Sequence, residues 1–225
     1  MRTIMAENDK LLGVHVAEDD DVQRVRAWWK KNGMGIVAGV AIGVVGVGGF
    51  KGWQAYTENR ALSASDVFQE MLAYDEAGAI DQARDSAQVL VKDYRATSYG
   101  DLAYLMIAKL ATKKGDFSNA MEALTQVMKK SKDPAMSQLA RLRLSQVNLL
   151  AGDLVRAHEL ATTGDVGGFK SEYPEVLGDV LLAQHKYSDA VEAYDRALEA
   201  LAPASSSRAL LTSKRNYARS IGNNQ

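Results

Sequence analysis

Between Gly33 and Phe50 the chain runs GMGIVAGVAIGVVGVGGF, eighteen residues without a charge, seven of them glycine. Few structures accommodate such a stretch. A flexible linker spaces its glycines with serine and other polar residues, whereas the spacers here are Val, Ile, Ala, Met and Phe, too apolar for a loop in water. A phosphate cradle needs G-x-G-x-x-G or G-x-x-x-x-G-K-[ST] between a strand and a helix. The nearest match, from Gly46 to Gly52, misplaces its lysine at Lys51 and has no Ser or Thr after it. As a helix, the run would be about 27 Å long at ~1.5 Å per residue, close to the ~30 Å hydrocarbon core of a bilayer. Seven glycines would cost that helix on the order of 7 kcal/mol in water relative to alanine. In lipid the balance reverses, because an unravelled chain would leave every N–H and C=O unpaired. The sequence therefore predicts a transmembrane helix over 33–53.

The flanks support that reading. Trp28 and Trp29 precede the span and Trp53 and Tyr56 follow it, in the manner of interfacial aromatic belts, with Lys30, Lys31 and Lys51 placed to snorkel outward. Arg24, Arg26, Lys30 and Lys31 stand before the span, against Lys51 and Arg60 after it. The positive-inside rule then makes residues 1–32 a cytoplasmic arm and puts everything after the span on the far side. The arm is acidic from Glu18 to Asp21 before it turns basic, and Met5 is an alternative start. A cleaved signal peptide fits less well, since the small residues Ala61 and Ser63 lie too far beyond the apolar core. Gly35, Gly39 and Gly43 recur at every fourth position, so one face of the span is a small-residue groove. That face admits a close-packed partner helix, including a second copy in a homodimer, or simply meets lipid.

Composition excludes several functions. A net charge of -1 argues against a broad electrostatic grip on nucleic acid, and the absence of cysteine removes disulfides, thiol nucleophiles and thiolate zinc sites. The three histidines, His15, His158 and His185, fall in no metal or nucleophile motif, so no catalytic, cofactor-binding or metal residue is assigned and no cofactor is expected. Carboxylates are plentiful, but on amphipathic helices they form the solvated face. With three prolines and abundant alanine and leucine, the chain is expected to be all-α.

Beyond Tyr56 a unit repeats when KKGDFSNAMEALTQVM is laid on LAGDLVRAHELATT and LAQHKYSDAVEAYDRAL. Its recurring small residue is Ala83, Ala120, Ala157 and Ala190, at spacings of 37, 37 and 33, near the ~34-residue tetratricopeptide period. Two antiparallel helices that cross closely tolerate only small side chains there, which accounts for Ala108 with Ala120, Ser145 with Ala157 and Gly178 with Ala190. Gly115-Asp116 and Gly152-Asp153 supply a positive-φ stop and the next N-cap, while His185-Lys186 fills that turn in the last unit. The repeat domain is expected over 57–221, with an irregular first unit from about Ala64 to Val91 and a lone closing helix from Ser205 to Ile221. The third unit's second helix is expected to give out early, around Asp165 to Gly168.

A stack of helix pairs is lined on its concave side by the first helix of each pair and binds segments of other proteins there. The inward positions predicted are Leu102, Leu105 and Lys109, then Leu139, Leu142, Gln146 and Leu149, then Glu172, Glu175, Asp179 and Leu182. That groove reads as apolar in its middle and acidic at its end, and about half of the leucines are expected to pack between units instead.

The short arm, the glycine-interrupted span ending in GGFKGWQAY, and degenerate tetratricopeptide units including LARLRLSQVNLLAGD together resemble the YfgM-type ancillary subunits of the SecYEG translocon. The resemblance runs from about Val22 to Leu201. It implies a single-pass protein of a Gram-negative inner membrane with its repeats in the periplasm. Its implied partners are the SecYEG translocon, a membrane-anchored periplasmic prolyl isomerase or chaperone, and exported client chains. The alternative is a membrane-tethered repeat scaffold in another envelope process, such as outer-membrane assembly or cell division.

Overall fold

The computed structural model describes residues 9–224, with side-chain surroundings from Asp21 onward. The alternative start Met5 lies outside the described residues, and His15 and Glu18 lie outside those whose side-chain surroundings are described. Among the described residues there are nine α-helices and no strand: α1 (Asp9–Glu76), α2 (Ile80–Asp93), α3 (Ser98–Lys113), α4 (Phe117–Lys130), α5 (Pro134–Ala151), α6 (Leu154–Thr162), α7 (Glu172–Ala183), α8 (Tyr187–Ala200) and α9 (Arg208–Gly222). The chain divides into two compact units, Met1–Asn59 and Arg60–Gln225.

In the first unit α1 stays helical through every glycine of the apolar run. The side chains around it have no protein cover, with Met34 at 83%, Val45 at 74% and Phe50 at 70% exposed. A surface of that kind is unfavourable in water and favourable in hydrocarbon. Among the described residues this is the one helix long and apolar enough to cross a membrane. The expected span ends at residue 53 and the expected repeat domain begins at 57. Across that boundary α1 continues unbroken to Glu76, because residues 54–63 hold no proline or glycine to stop it.

The second unit is the repeat stack. Each helix pair turns through one residue in the left-handed region: Gly78 at φ 71, Gly115 at 75, Gly152 at 83 and His185 at 62. Immediately after it, the backbone N–H of Ala79, Asp116, Asp153 and Lys186 donates back five residues, to Tyr74, Ala111, Asn148 and Leu181 respectively, each at 2.9 Å. These are the 6→1 bonds of a Schellman stop. The Asp116 and Asp153 carboxylates then cap the next helix, accepting from the N–H of Asn119 at 3.1 Å and of Arg156 at 3.0 Å. The turns and the crossing alanines thus share the same 37, 37, 33 spacing.

Ala83, Ala120, Ala157 and Ala190 are all completely buried, as a close helix crossing requires. In the third pair Ser145 Oγ donates to the Ala157 carbonyl at 2.7 Å, so the crossing there carries a polar tie as well. The last pair differs from expectation. The space that Gly178 leaves is taken by the ring of Tyr194, whose Cε1 would lie 2.5 Å from a Cβ at that position.

Four apolar clusters run along the stack, and each joins a helix pair to the first helix of the next. The last one uses α9, which buries Leu211 and Ala218 as the closing helix. The early end expected for the third unit falls at Thr162. The segment after it is held against α5. Arg141 donates from Nε to the Tyr173 hydroxyl at 2.7 Å and from Nη2 to the Asp165 carbonyl at 2.6 Å, and Gln138 donates to the Asp165 carboxylate at 3.0 Å. The Arg141 guanidinium also lies 4.6 Å from the Tyr173 ring centroid.

Candidate functional site

Among the described residues, first helices of successive pairs touch one another, α3 with α5 and α5 with α7, and no two second helices pack as closely. A stack whose first helices lie closer together curves toward them, so its concave side is lined by α3, α5 and α7. Between α3 and α5 this side opens into a trough of about 560 Å³. Its floor is Leu105 and Ala108 of α3, Leu124 of α4, and Leu139, Val147 and Leu150 of α5. Lys109, Thr112 and Lys113 of α3 and Arg143 and Gln146 of α5 supply its polar rim.

Of the predicted inward positions, Leu105, Lys109, Leu139 and Gln146 come together here. Leu102 is half-buried on the same side of α3 but does not line the trough. Leu142 is among the leucines that pack between units instead. It is 2% exposed and packs in the interior with Ala157, Ala161 and Tyr173, and Leu149 packs against the same cluster. The stripe of α5 that faces the trough is Leu139, Arg143, Gln146 and Leu150, which at ~100° per residue share one narrow face, while positions 142 and 149 are rotated toward α6 and α7. Reading along leucines missed Arg143, because a helix with apolar residues on two sides carries no hydropathy signal for which side stays open. The i, i+4 spacing from Lys109 was the available signal for Lys113.

The rim is basic. Lys109 and Lys113 share the Asp75 carboxylate of α1, Lys113 at 3.5 Å. The hydrogen bond from Lys109 holds the Asp75 carboxyl below the usual aspartate range, although burial opposes it. Arg143 has no carboxylate partner among the described residues and donates to the Gln146 side-chain oxygen at 2.9 Å.

The acidic end anticipated from Glu172, Glu175 and Asp179 is partly offset, by one ammonium shared between Glu175 and Asp179. Lys214 of α9 meets both Glu175 and Asp179 at 2.8 Å, and the Tyr194 hydroxyl donates to Asp179 at 2.8 Å. Burial pulls the Lys214 ammonium down, but its hydrogen bonds to Asp179 and Glu175 win and hold it above the ordinary lysine value. Burial, helped by the Asp179 charge, pushes the Tyr194 hydroxyl above the ordinary tyrosine value. Glu172 stays exposed, and Leu182 packs on the cluster shared by α8 and α9. The pairing crosses 35 and 39 positions in sequence, which no local pattern signals.

On α1, Gly35, Gly39 and Gly43 face open space, with no atom within 4 Å of where a Cβ would stand. Gly33 differs, being covered by the Trp29 ring at 3.0 Å. Among the described residues no three His, Asp or Glu side chains are grouped as a metal site would need.

A family model described as "Tetratricopeptide repeat-like domain" matches residues 26–219, taking in both the apolar helix and the repeats. Several relatives carry the name "Ancillary SecYEG translocon subunit", among them the following three. The one from Aggregatibacter actinomycetemcomitans is 30% identical over 184 residues, 82% of this chain and 90% of that protein. The one from Haemophilus influenzae is 29% identical over 185 residues, 81% of this chain and 89% of the relative. The one from Escherichia coli K12 is 24% identical over 182 residues, 81% of this chain and 87% of the relative.

Proposed function

The chain belongs to the tetratricopeptide repeat-like family of ancillary SecYEG translocon subunits, and from that premise we propose that it is a non-catalytic scaffold of the inner membrane. It sits beside the translocon, takes up segments of emerging chains on its concave side and passes them to periplasmic chaperones, with a membrane-anchored prolyl isomerase as companion. The supporting observation is the combination within one chain of one helix, among the described residues, long and apolar enough to cross a membrane and a repeat stack whose first helices leave an apolar trough open. A tether holds such a trough where chains emerge, and raises its effective concentration for them without any added contact.

In this proposal residues 1–32 are cytoplasmic, the span covers 33–53, and the repeats from 57 to 221 are periplasmic. The excess of Arg24, Arg26, Lys30 and Lys31 over Lys51 and Arg60 supports that orientation. Gly35, Gly39 and Gly43 form the face on which a translocon helix packs, since only a residue without a side chain lets two backbones approach so closely. The concave positions Leu105, Lys109, Leu139 and Gln146 bind the client.

The test is photo-crosslinking in intact membranes, with a photoreactive residue in turn at Gly39, at Gly43 and at the opposite position Ala41, about 160° around the helix from both. Translocon subunits are expected from the two glycine positions and not from Ala41. Equal recovery from all three positions, or recovery of no translocon subunit, would overturn the proposal.

A further inference from the structure

We propose that the trough between α3 and α5 selects acidic-apolar segments: stretches of another polypeptide in which a leucine- or phenylalanine-sized side chain has a carboxylate within a helical turn. This rests on the groove reading above and names the chemistry of what fits it. The apolar side chain fills the floor between Leu105, Leu139 and Leu150, and the carboxylate meets Lys109, Lys113 and Arg143 on the rim.

Charge balance carries the inference. Three cations border the trough and, among the described residues, no acidic side chain lines it; the one carboxylate within reach is Asp75, shared by Lys109 and Lys113. An ammonium has three donors and a guanidinium five, so one carboxylate and one amide oxygen leave most of this donor capacity unspent. Lys109 and Lys113 remain 50% and 51% exposed at the side chain, open to a second acceptor. Arg143 stands on the same stripe of α5 as Leu139 and Leu150, so apolar and charged contacts are made together.

A segment without acids would bury the floor but leave these cations partly desolvated and unpaired. A basic segment would add like charges to them, and both losses grow as the trough fills and water leaves.

The experiment uses the full chain in nanodiscs of zwitterionic lipid, with empty nanodiscs as blank and fluorescence anisotropy as readout. Three dye-labelled peptides share one leucine spacing and differ only in carrying glutamate, glutamine or lysine between the leucines. The glutamate peptide is expected to bind about ten-fold tighter than the lysine peptide, a preference that fades as salt rises from about 0.05 M to about 0.5 M. Arg143→Gln, and more fully Lys109→Gln with Arg143→Gln, should lower glutamate-peptide affinity to the glutamine-peptide level and leave the glutamine peptide unchanged. If removing Lys109 from Asp75 lowers the melting temperature, Arg143→Gln alone decides, because no ion pair is lost with it.

Equal binding of the three peptides, or a glutamate preference undiminished in the arginine variant, overturns the selectivity and leaves the groove standing. Leu150→Gln separates the two readings. Leu150 is 61% exposed, so the change is neutral for folding, yet it should weaken all three peptides alike. Undiminished binding in that variant sinks the groove itself.

Discussion

Replacing Gly178 by alanine sets two effects of known size against each other. An added Cβ would lie 2.5 Å from Cε1, 2.7 Å from Cδ1 and 2.9 Å from Cζ of Tyr194, where carbon atoms normally stand about 3.5–4.0 Å apart. The ring has nowhere to go. Tyr194 is completely buried, and its hydroxyl is tied to Asp179, which is itself held by Lys214. Relieving an overlap of about 1 Å in such a place costs about 1–3 kcal/mol. Against this, alanine in a helix interior gains about 1 kcal/mol over glycine. The net expectation is destabilisation by about 1 kcal/mol. For a chain of this size that lowers the melting temperature by about 2–4 °C, followed by far-UV circular dichroism of the purified chain. A double-mutant cycle with Tyr194→Leu isolates the cause. If the clash is real, the two changes together cost less than their sum, by more than the ~0.5 kcal/mol within which independent sites add. Additive losses, or a Gly178→Ala variant more stable than the parent, would refute the account of why this crossing has glycine.

His185→Gly should raise the melting temperature by a degree or two. Its φ of 62 costs a side chain about 1 kcal/mol that glycine avoids, partly offset by losing the 2.9 Å contact from its Nδ1 to the Tyr187 hydroxyl; a fall in melting temperature would count against strain at this turn. Lys214→Met should cost about 1–3 kcal/mol, since it strands Glu175 and Asp179, each under a third exposed at the side chain, without their cation. Lys214 and Tyr194 are both shifted upward. Their stabilisation is therefore complete below the unfolded values of about 10.4 and 10 and drains as pH rises through the higher folded values. Melting temperature followed upward from neutral pH should begin to fall near pH 10, less steeply in Lys214→Met, and parallel curves for variant and parent would refute the assignment.

The apolar run and the turns of the four helix pairs were legible in the amino-acid sequence because each depends on contacts between near neighbours. A Schellman turn needs one left-handed residue at Gly78, Gly115, Gly152 or His185 and a bond across five positions, and an N-cap such as Asp116 reaches only three. The crossing alanines repeat with the turns, and an uncharged run of eighteen residues is long enough to be read by counting. The open side of each helix was decided elsewhere. Leu139 and Leu142 are equally apolar and three positions apart, yet one lines the trough and the other is interior, because the rotation of α5 is set by α6, α7 and the Arg141–Tyr173 tie. The charge of the groove was decided in the same way. Lys214 reaches back 39 residues to offset part of the charge of Glu175 and Asp179, while Arg143 meets no acid among the described residues, so the concave side is basic where α3 faces α5 and less acidic along α7 than its carboxylates alone would make it. Local chemistry set the elements; the distant packing partners set which of their faces remained open.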